Sequence, residues 1–164
     1  MKRFKFVFIA LFVGIFLTTS CSSDSDDFWD GSGTELSIGE EVSIITEASF
    51  HNYKAHDELA EVECFNSEEK LKASDIYRTL AAVPPVDWTK QTLIIAMYFA
   101  PNVVYYKDCK VMKKGDKYSI GLYYYDTFMN AYGATGAFIV LNKPNVSKKD
   151  ISIKCFGSLG MPEQ

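Results

Sequence analysis

The segment Thr92–Ala100 (TLIIAMYFA) is an unbroken apolar run rich in β-branched and aromatic side chains. A strand on a solvated surface alternates polar with apolar positions. A run without alternation therefore reads as a central strand buried on both faces, and the rest of the chain has to cover it from two sides.

The neighbouring segments are also mostly strand-like. Residues 41–47 (EVSIITE) place Val42, Ile44 and Thr46 on one face and Ser43 and Ile45 on the other. Residues 103–112 and 117–125 flank Lys113-Lys114-Gly115-Asp116, where Gly115 can take the positive φ of a tight turn, so the pair reads as a hairpin. Residues 137–141 and 151–156 are two further strands, separated by the polar, proline-containing stretch 142–150. Asn66-Ser67-Glu68-Glu69 supplies a helix cap with acids in the first turn, and Leu71, Ile76 and Leu80 recur at near-helical spacing until Pro84-Pro85 end the pattern. The expected fold is mainly β (α+β): a single curved antiparallel sheet, or a partly open barrel, of five or six strands packed on one main helix over about 67–82. Residues 36–158 form this single domain, with 159–164 as a tail.

The helix opening at Ser67-Glu68-Glu69-Lys70, the segment Val86-Asp87-Trp88-Thr89-Lys90-Gln91-Thr92-Leu93-Ile94-Ile95 and the hairpin that follows resemble small secreted β domains related to the C-terminal domain of the protease-complex subunit PrcB. The resemblance covers residues 66–155. It implies a fold and a habit of non-enzymatic interaction. The Gly-Gly-Tyr segment of that family is replaced by Ala100-Pro101-Asn102, so no loop-based partner recognition carries over.

The N-terminus reads as an export signal. Residues 1–20 hold Lys2, Arg3 and Lys5, no acid, and a twelve-residue apolar run at 6–17. Twelve helical residues rise about 18 Å, short of the roughly 30 Å hydrocarbon core, which disfavours a permanent span. Thr18-Thr19-Ser20-Cys21 resembles a bacterial lipobox, with Thr18 where a leucine is usual, and implies acylation of Cys21. More than one acyl chain there makes the membrane attachment stable. Ser22-Ser23-Asp24-Ser25-Asp26-Asp27 resembles the signal that sends Bacteroidota lipoproteins to the outer face of the outer membrane, the periplasmic face being the alternative. Residues 21–35 are too polar to fold alone and read as an acidic tether. Phe28-Trp29 interrupts that composition, and either docks on the domain or sits near lipid headgroups.

Without the signal, 144 residues carry 14 basic and 21 acidic groups, a net charge of −7. That balance disfavours nucleic acid as a partner. The distribution is uneven. From Ser22 to Lys70 the local charge is −12, and from Leu71 onward it is +5. Lys107, Lys110, Lys113, Lys114 and Lys117 gather on the hairpin, with Lys143, Lys148 and Lys149 on the last turn. They read either as a positive end facing anionic headgroups or glycans, or as guards of exposed strand edges.

No assembled catalytic centre is visible, so the domain is expected to be non-enzymatic and to need no cofactor. Gly157-Ser158-Leu159-Gly160 lacks the spacing and following helix of a nucleophile elbow, and Gly133-Ala134-Thr135-Gly136 lacks the Lys-Ser/Thr of a phosphate loop. His51 and His56 are weak metal candidates: on a helix, five residues would turn them about 140° apart. Cys64, Cys109 and Cys155 leave at most one disulfide, and Cys109–Cys155 is the pairing considered, against two buried thiols.

Eight of the ten tyrosines fall between Tyr98 and Tyr132. Side chains alternate across a strand, so Tyr105-Tyr106 and Tyr123-Tyr124-Tyr125 must put rings on both faces. Tyr105, Tyr123, Tyr125, Phe128 and Tyr132 are the candidate ligand-binding set, an outward aromatic platform for a protein or a glycan. The competing reading is cross-strand pairing for sheet stability. The expected function is an outer-membrane surface lipoprotein that binds through this Tyr-rich face. A structural accessory subunit of an outer-membrane or protease-related complex is the alternative.

Overall fold

The computed structural model describes residues 29, 31–51, 59–127, 129 and 131–160. Among the described residues there are eight strands: β1 (Thr34–Leu36), β2 (Val42–Glu47), β3 (Leu59–Phe65), β4 (Thr92–Ala100), β5 (Val104–Lys114), β6 (Lys117–Asp126), β7 (Gly133–Leu141) and β8 (Ile151–Leu159). One helix, α1 (Glu68–Ala73), and 3-10 turns at Ile76–Thr79 and Lys148–Asp150 accompany them. Among the described residues no helix is long and apolar enough to cross a membrane.

The protein is mainly β, but its strands form two sheets instead of one. One four-stranded sheet runs β1-β5-β6-β8 and the other β2-β7-β4-β3. The physical reason lies in β4. All nine of its residues are buried, and its two faces need separate covers. Ile94, Ala96, Tyr98 and Ala100 point into a core shared with Val111, Tyr118, Ile120, Leu122 and Tyr124 of the opposite sheet. Leu93, Ile95, Met97 and Phe99 point the other way, into a second core closed by Leu71, Ile76, Leu80, Val83, Val86 and Trp88. A helix covers only one of these faces, so a second sheet must cover the other. The chain changes sheet at Pro101, whose ring nitrogen has no hydrogen to continue a ladder.

The pairing is also not uniformly antiparallel. β8 runs parallel to β6, from Tyr118↔Ile151 to Asp126↔Leu159. The intervening strand β7 lies in the other sheet, and the crossover 142–150 returns the chain to the end of the sandwich where β6 begins. The buried Thr92 hydroxyl ties that crossover down, lying 2.7 Å from both Asn66 Oδ1 and the Lys143 carbonyl and accepting from the Val146 amide at 3.3 Å.

The expected helix over 67–82 is short. Ser67 caps α1 by accepting from the Lys70 amide, but Ser74 takes an extended conformation and its hydroxyl donates to the Leu71 carbonyl at 2.6 Å. Serine competes for backbone in this way and ends the helix after six residues. Ile76 and Leu80 then reach the second core from the 3-10 turn and its flank, which is why their spacing imitated a longer helix.

The expected hairpin is present. Gly115 sits at φ 61° between β5 and β6, and a register shift between Tyr106 and Asp108 leaves Lys107 as the extra residue of a bulge. The fold also takes in residues assigned to the tether: Thr34 and Glu35, with Leu36 of the domain, pair with Lys113, Met112 and Val111 of β5, and Trp29 packs on the sheet.

Candidate binding face

Strand alternation decides which tyrosines are core. Tyr98, Tyr118 and Tyr124 are buried, and Tyr98 stacks on Tyr124 across the inter-sheet core with ring centroids 4.3 Å apart. Tyr106 also turns inward against that core, and burial, with Cys109 and Asp108 nearby, pushes its hydroxyl pKa up. Their neighbours Tyr105, Tyr123 and Tyr125 point to the opposite, outer face of the β1-β5-β6-β8 sheet and are half-buried there.

That outer face is organised in rungs. Tyr105 pairs with Tyr125, Asp108 with Tyr123, and Lys110 with Gly121. Across β8, Tyr123 pairs with Phe156 and Gly121 with Lys154. Tyr123 and Phe156 stack with centroids 4.7 Å apart and an interplanar angle of 16°. Trp29 meets both edge-on, at 5.2 Å from Phe156 and 6.4 Å from Tyr123, and its indole Nε1 donates to Ser119 Oγ at 3.0 Å. Gly121 forms the floor of this seat. A Cβ there would run into the Cη2 and Cζ2 atoms of the indole, so the missing side chain is what lets the ring lie on β6. At the next rung the bulge places Lys107 Nζ 4.9 Å from the Tyr125 ring centroid and 3.3 Å from Ser158 Oγ. Lys154 Nζ lies 5.8 Å from the Phe156 centroid. Desolvation raises the Tyr123 hydroxyl pKa, opposed by Lys110.

The arrangement is a row of five aromatic rings, from Trp29, Tyr105, Tyr123, Tyr125 and Phe156, edged by Lys107, Lys110 and Lys154. Its chemistry is stacking plus hydrogen bonding at the rim, and it offers no nucleophile with an adjacent base. Ser158, the residue of the elbow-like tetrapeptide, lies within β8 and its hydroxyl faces the Tyr124 carbonyl at 3.4 Å. Tyr132 is 62% exposed and stands on the connection from β6 to β7, outside the strands that carry this row. Phe128 lies outside the described residues. Trp29 was foreseen only as one of two roles, and Phe156 was not singled out, because its place beside Tyr123 depends on the parallel β6–β8 pairing.

The other candidates resolve differently. None of Cys64, Cys109 and Cys155 is in a disulfide, so the Cys109–Cys155 bridge does not form. Cys109 and Cys155 both pair with Leu122, so a whole strand separates them. Two strand spacings amount to about 9.6 Å, beyond the roughly 7 Å Cα limit of a disulfide. Burial pushes the Cys109 thiol up to about 12, and burial with Glu63 pushes Cys64 up to about 11. His51 is exposed and His56 lies outside the described residues; among those described, no cluster of three or more metal-ligating side chains occurs. Glu61 and Glu63 instead line a cavity of about 410 Å³ with Ser74, Asp75, Ile76, Thr79 and Met97.

The opposed charges of the two halves meet within the molecule. Lys110 pairs with Glu35 at 3.2 Å, Lys113 with Glu41 at 2.5 Å and Lys148 with Glu63 at 2.7 Å, while Lys143 takes Asp116 at 2.9 Å. Four of the eight lysines of the basic end read from the sequence are therefore paired with acids of the chain itself.

No family model, curated protein or solved structure matches this chain. The functional reading accordingly rests on the aromatic face and the N-terminal sequence.

Proposed function

We propose that this protein is a lipoprotein, anchored in the outer membrane through acylated Cys21 with its domain toward the cell exterior, and that it is a non-enzymatic binding module. The ligand is a glycan, held by the aromatic face of the β1-β5-β6-β8 sheet. The supporting observation is the segregation of the tyrosines: Tyr98, Tyr118 and Tyr124 fill the core, while Tyr105, Tyr123 and Tyr125 share one outer face with Trp29 and Phe156. The same face carries Lys107 and Lys154 over two of the rings and Ser119 and Ser158 beside them. Sugar rings offer C–H faces to aromatics and hydroxyls to such polar rims.

The test is an immobilised oligosaccharide array probed with the wild type and with Tyr123→Ala and Tyr125→Ala, each shown by circular dichroism to be folded. Each substitution is expected to weaken binding about tenfold, equivalent to about 1.4 kcal/mol. Binding unchanged by both, or an array without any signal for the wild type, refutes the glycan reading. A stable protein partner co-purifying in the latter case would point instead to an accessory subunit, the habit implied by the PrcB-like resemblance.

A further inference from the structure

We infer that the aromatic face is turned toward the leaflet that holds Cys21, and that its ligand is the layer of sugar- and phosphate-bearing lipid headgroups of that same membrane. The inference rests on the lipoprotein and glycan readings above and adds where the ligand comes from.

Trp29 is fixed in the middle of the outer face, over Gly121 of β6, by its Ser119 hydrogen bond and its contacts with Tyr123 and Phe156. Only residues 22–28 separate it from Cys21. Eight Cα–Cα steps reach at most about 28 Å when fully extended, so the acyl-bearing cysteine stays within that radius of Trp29.

In the opposite orientation the helix and the 76–88 segment lie against the membrane. The link would have to leave the centre of the sheet, pass its edge and descend the depth of the molecule. With strands about 4.8 Å apart, the lateral part is about 10 Å. Two facing sheets are about 10 Å apart, and the covering layer adds about 10 Å more before side chains are counted. The path totals about 30 Å before the side chains of the covering layer are added, which exceeds the roughly 28 Å reach of the link. Of the two broad faces, only the outer face of the β1-β5-β6-β8 sheet can lie on the membrane that anchors Cys21.

The chemistry of that face suits the position. Aromatic rings with polar ends prefer the zone between hydrocarbon and water, and lysines beside them reach toward phosphate. Trp29, Tyr105, Tyr123, Tyr125 and Phe156 supply the rings, and Lys107 and Lys154 stand over two of them. On the far side most of the described apolar side chains pack into the second core, with Tyr77 37% exposed.

Lysine footprinting tests the inference without a substitution in the domain. The lipidated protein is reconstituted in nanodiscs containing lipopolysaccharide and exposed to a water-soluble acylating reagent, and modification is read by mass spectrometry. The reference is the same chain carrying Cys21→Ala, exported on a non-lipidating signal and free in solution. Lys107 and Lys154 are expected to react several-fold more slowly on the disc than in solution. Lys72 and Lys90 serve as internal controls. Their side chains, on α1 and in the turn before β4, are 54% and 81% exposed, and they are expected to react equally in both. Equal rates at all four lysines, or protection of Lys72 and Lys90 instead, overturn the inference. In parallel, soluble lipopolysaccharide oligosaccharide is titrated into the Cys21→Ala protein and its Tyr123→Ala variant. Tyr123-dependent binding of the sugar with no footprint on the disc sinks the orientation and leaves the glycan reading standing. A footprint with no sugar binding in any arm sinks the headgroup-sugar ligand.

Discussion

Replacing Gly121 by valine examines the seat of Trp29 by a change of sign. Gly121 is on β6, paired with Lys110 and Lys154 on either side. In a central strand, valine is favoured over glycine by about 1 kcal/mol. Here its side chain occupies the volume of the indole, so Trp29 must leave. A half-buried tryptophan covers about 100 Å², or about 2.5 kcal/mol at 25 cal/mol per Å². The Ser119 hydrogen bond adds about 1 kcal/mol, and ordering the arm costs about 1–2 kcal/mol. Docking is therefore worth about 2 kcal/mol. Gly121→Val should destabilise the wild type by about 1 kcal/mol and stabilise a Trp29→Ala background by about 1 kcal/mol, a coupling of about 2 kcal/mol. Urea unfolding followed by far-ultraviolet circular dichroism measures all four corners of the cycle. In the wild type, the emission of Trp29 should also shift to the red as the ring enters water. If Gly121→Val has the same effect in both backgrounds, to within about 0.5 kcal/mol, Trp29 does not occupy this seat and the orientation argument falls with it.

Three further outcomes follow from the packing. Tyr124→Ala removes a ring stacked in the inter-sheet core and should cost about 3–5 kcal/mol in urea unfolding, whereas Tyr132→Ala should stay within about 0.5 kcal/mol. Leu122→Ala empties a fully buried position between Cys109 and Cys155 and should cost about 2–5 kcal/mol, with both thiols still titrating as free in the unfolded protein. Alkaline stability should fall because burial holds the folded Cys109 thiol near 12 instead of its ordinary 9.0. Above pH 9 the unfolded thiol loses its proton while the folded one keeps it, so the unfolded state is favoured by up to about 1.4 kcal/mol per pH unit until the folded group titrates. Cys109→Ala should flatten that slope between pH 9 and 11 in urea midpoints; an unchanged slope refutes the assignment.

The local elements were readable in the residues because each rests on short-range physics. The run Thr92–Ala100 has no polar position to expose, so it had to be central, and β4 is buried throughout. Gly115 marks its turn because the backbone there needs positive φ. Tyr123-Tyr124-Tyr125 had to split between two faces because a strand alternates, and Tyr124 is core while its neighbours are outward.

What the residues could not show depends on which segments meet. A single sheet and two sheets satisfy the same alternation, and the choice turned on β4 needing a separate cover for each face. The parallel placement of β8 beside β6 brings Phe156 to Tyr123, puts Leu122 between two cysteines and opens a seat at Gly121, and none of these follows from spacing along the chain. The opposed charges of the two halves likewise read as a surface field until the fold brought Glu35, Glu41 and Glu63 to Lys110, Lys113 and Lys148. Alternation and turn geometry act over a few residues and are written into the sequence, whereas pairing over separations such as the 90 residues between Trp29 and Ser119 is decided only when the whole core is packed.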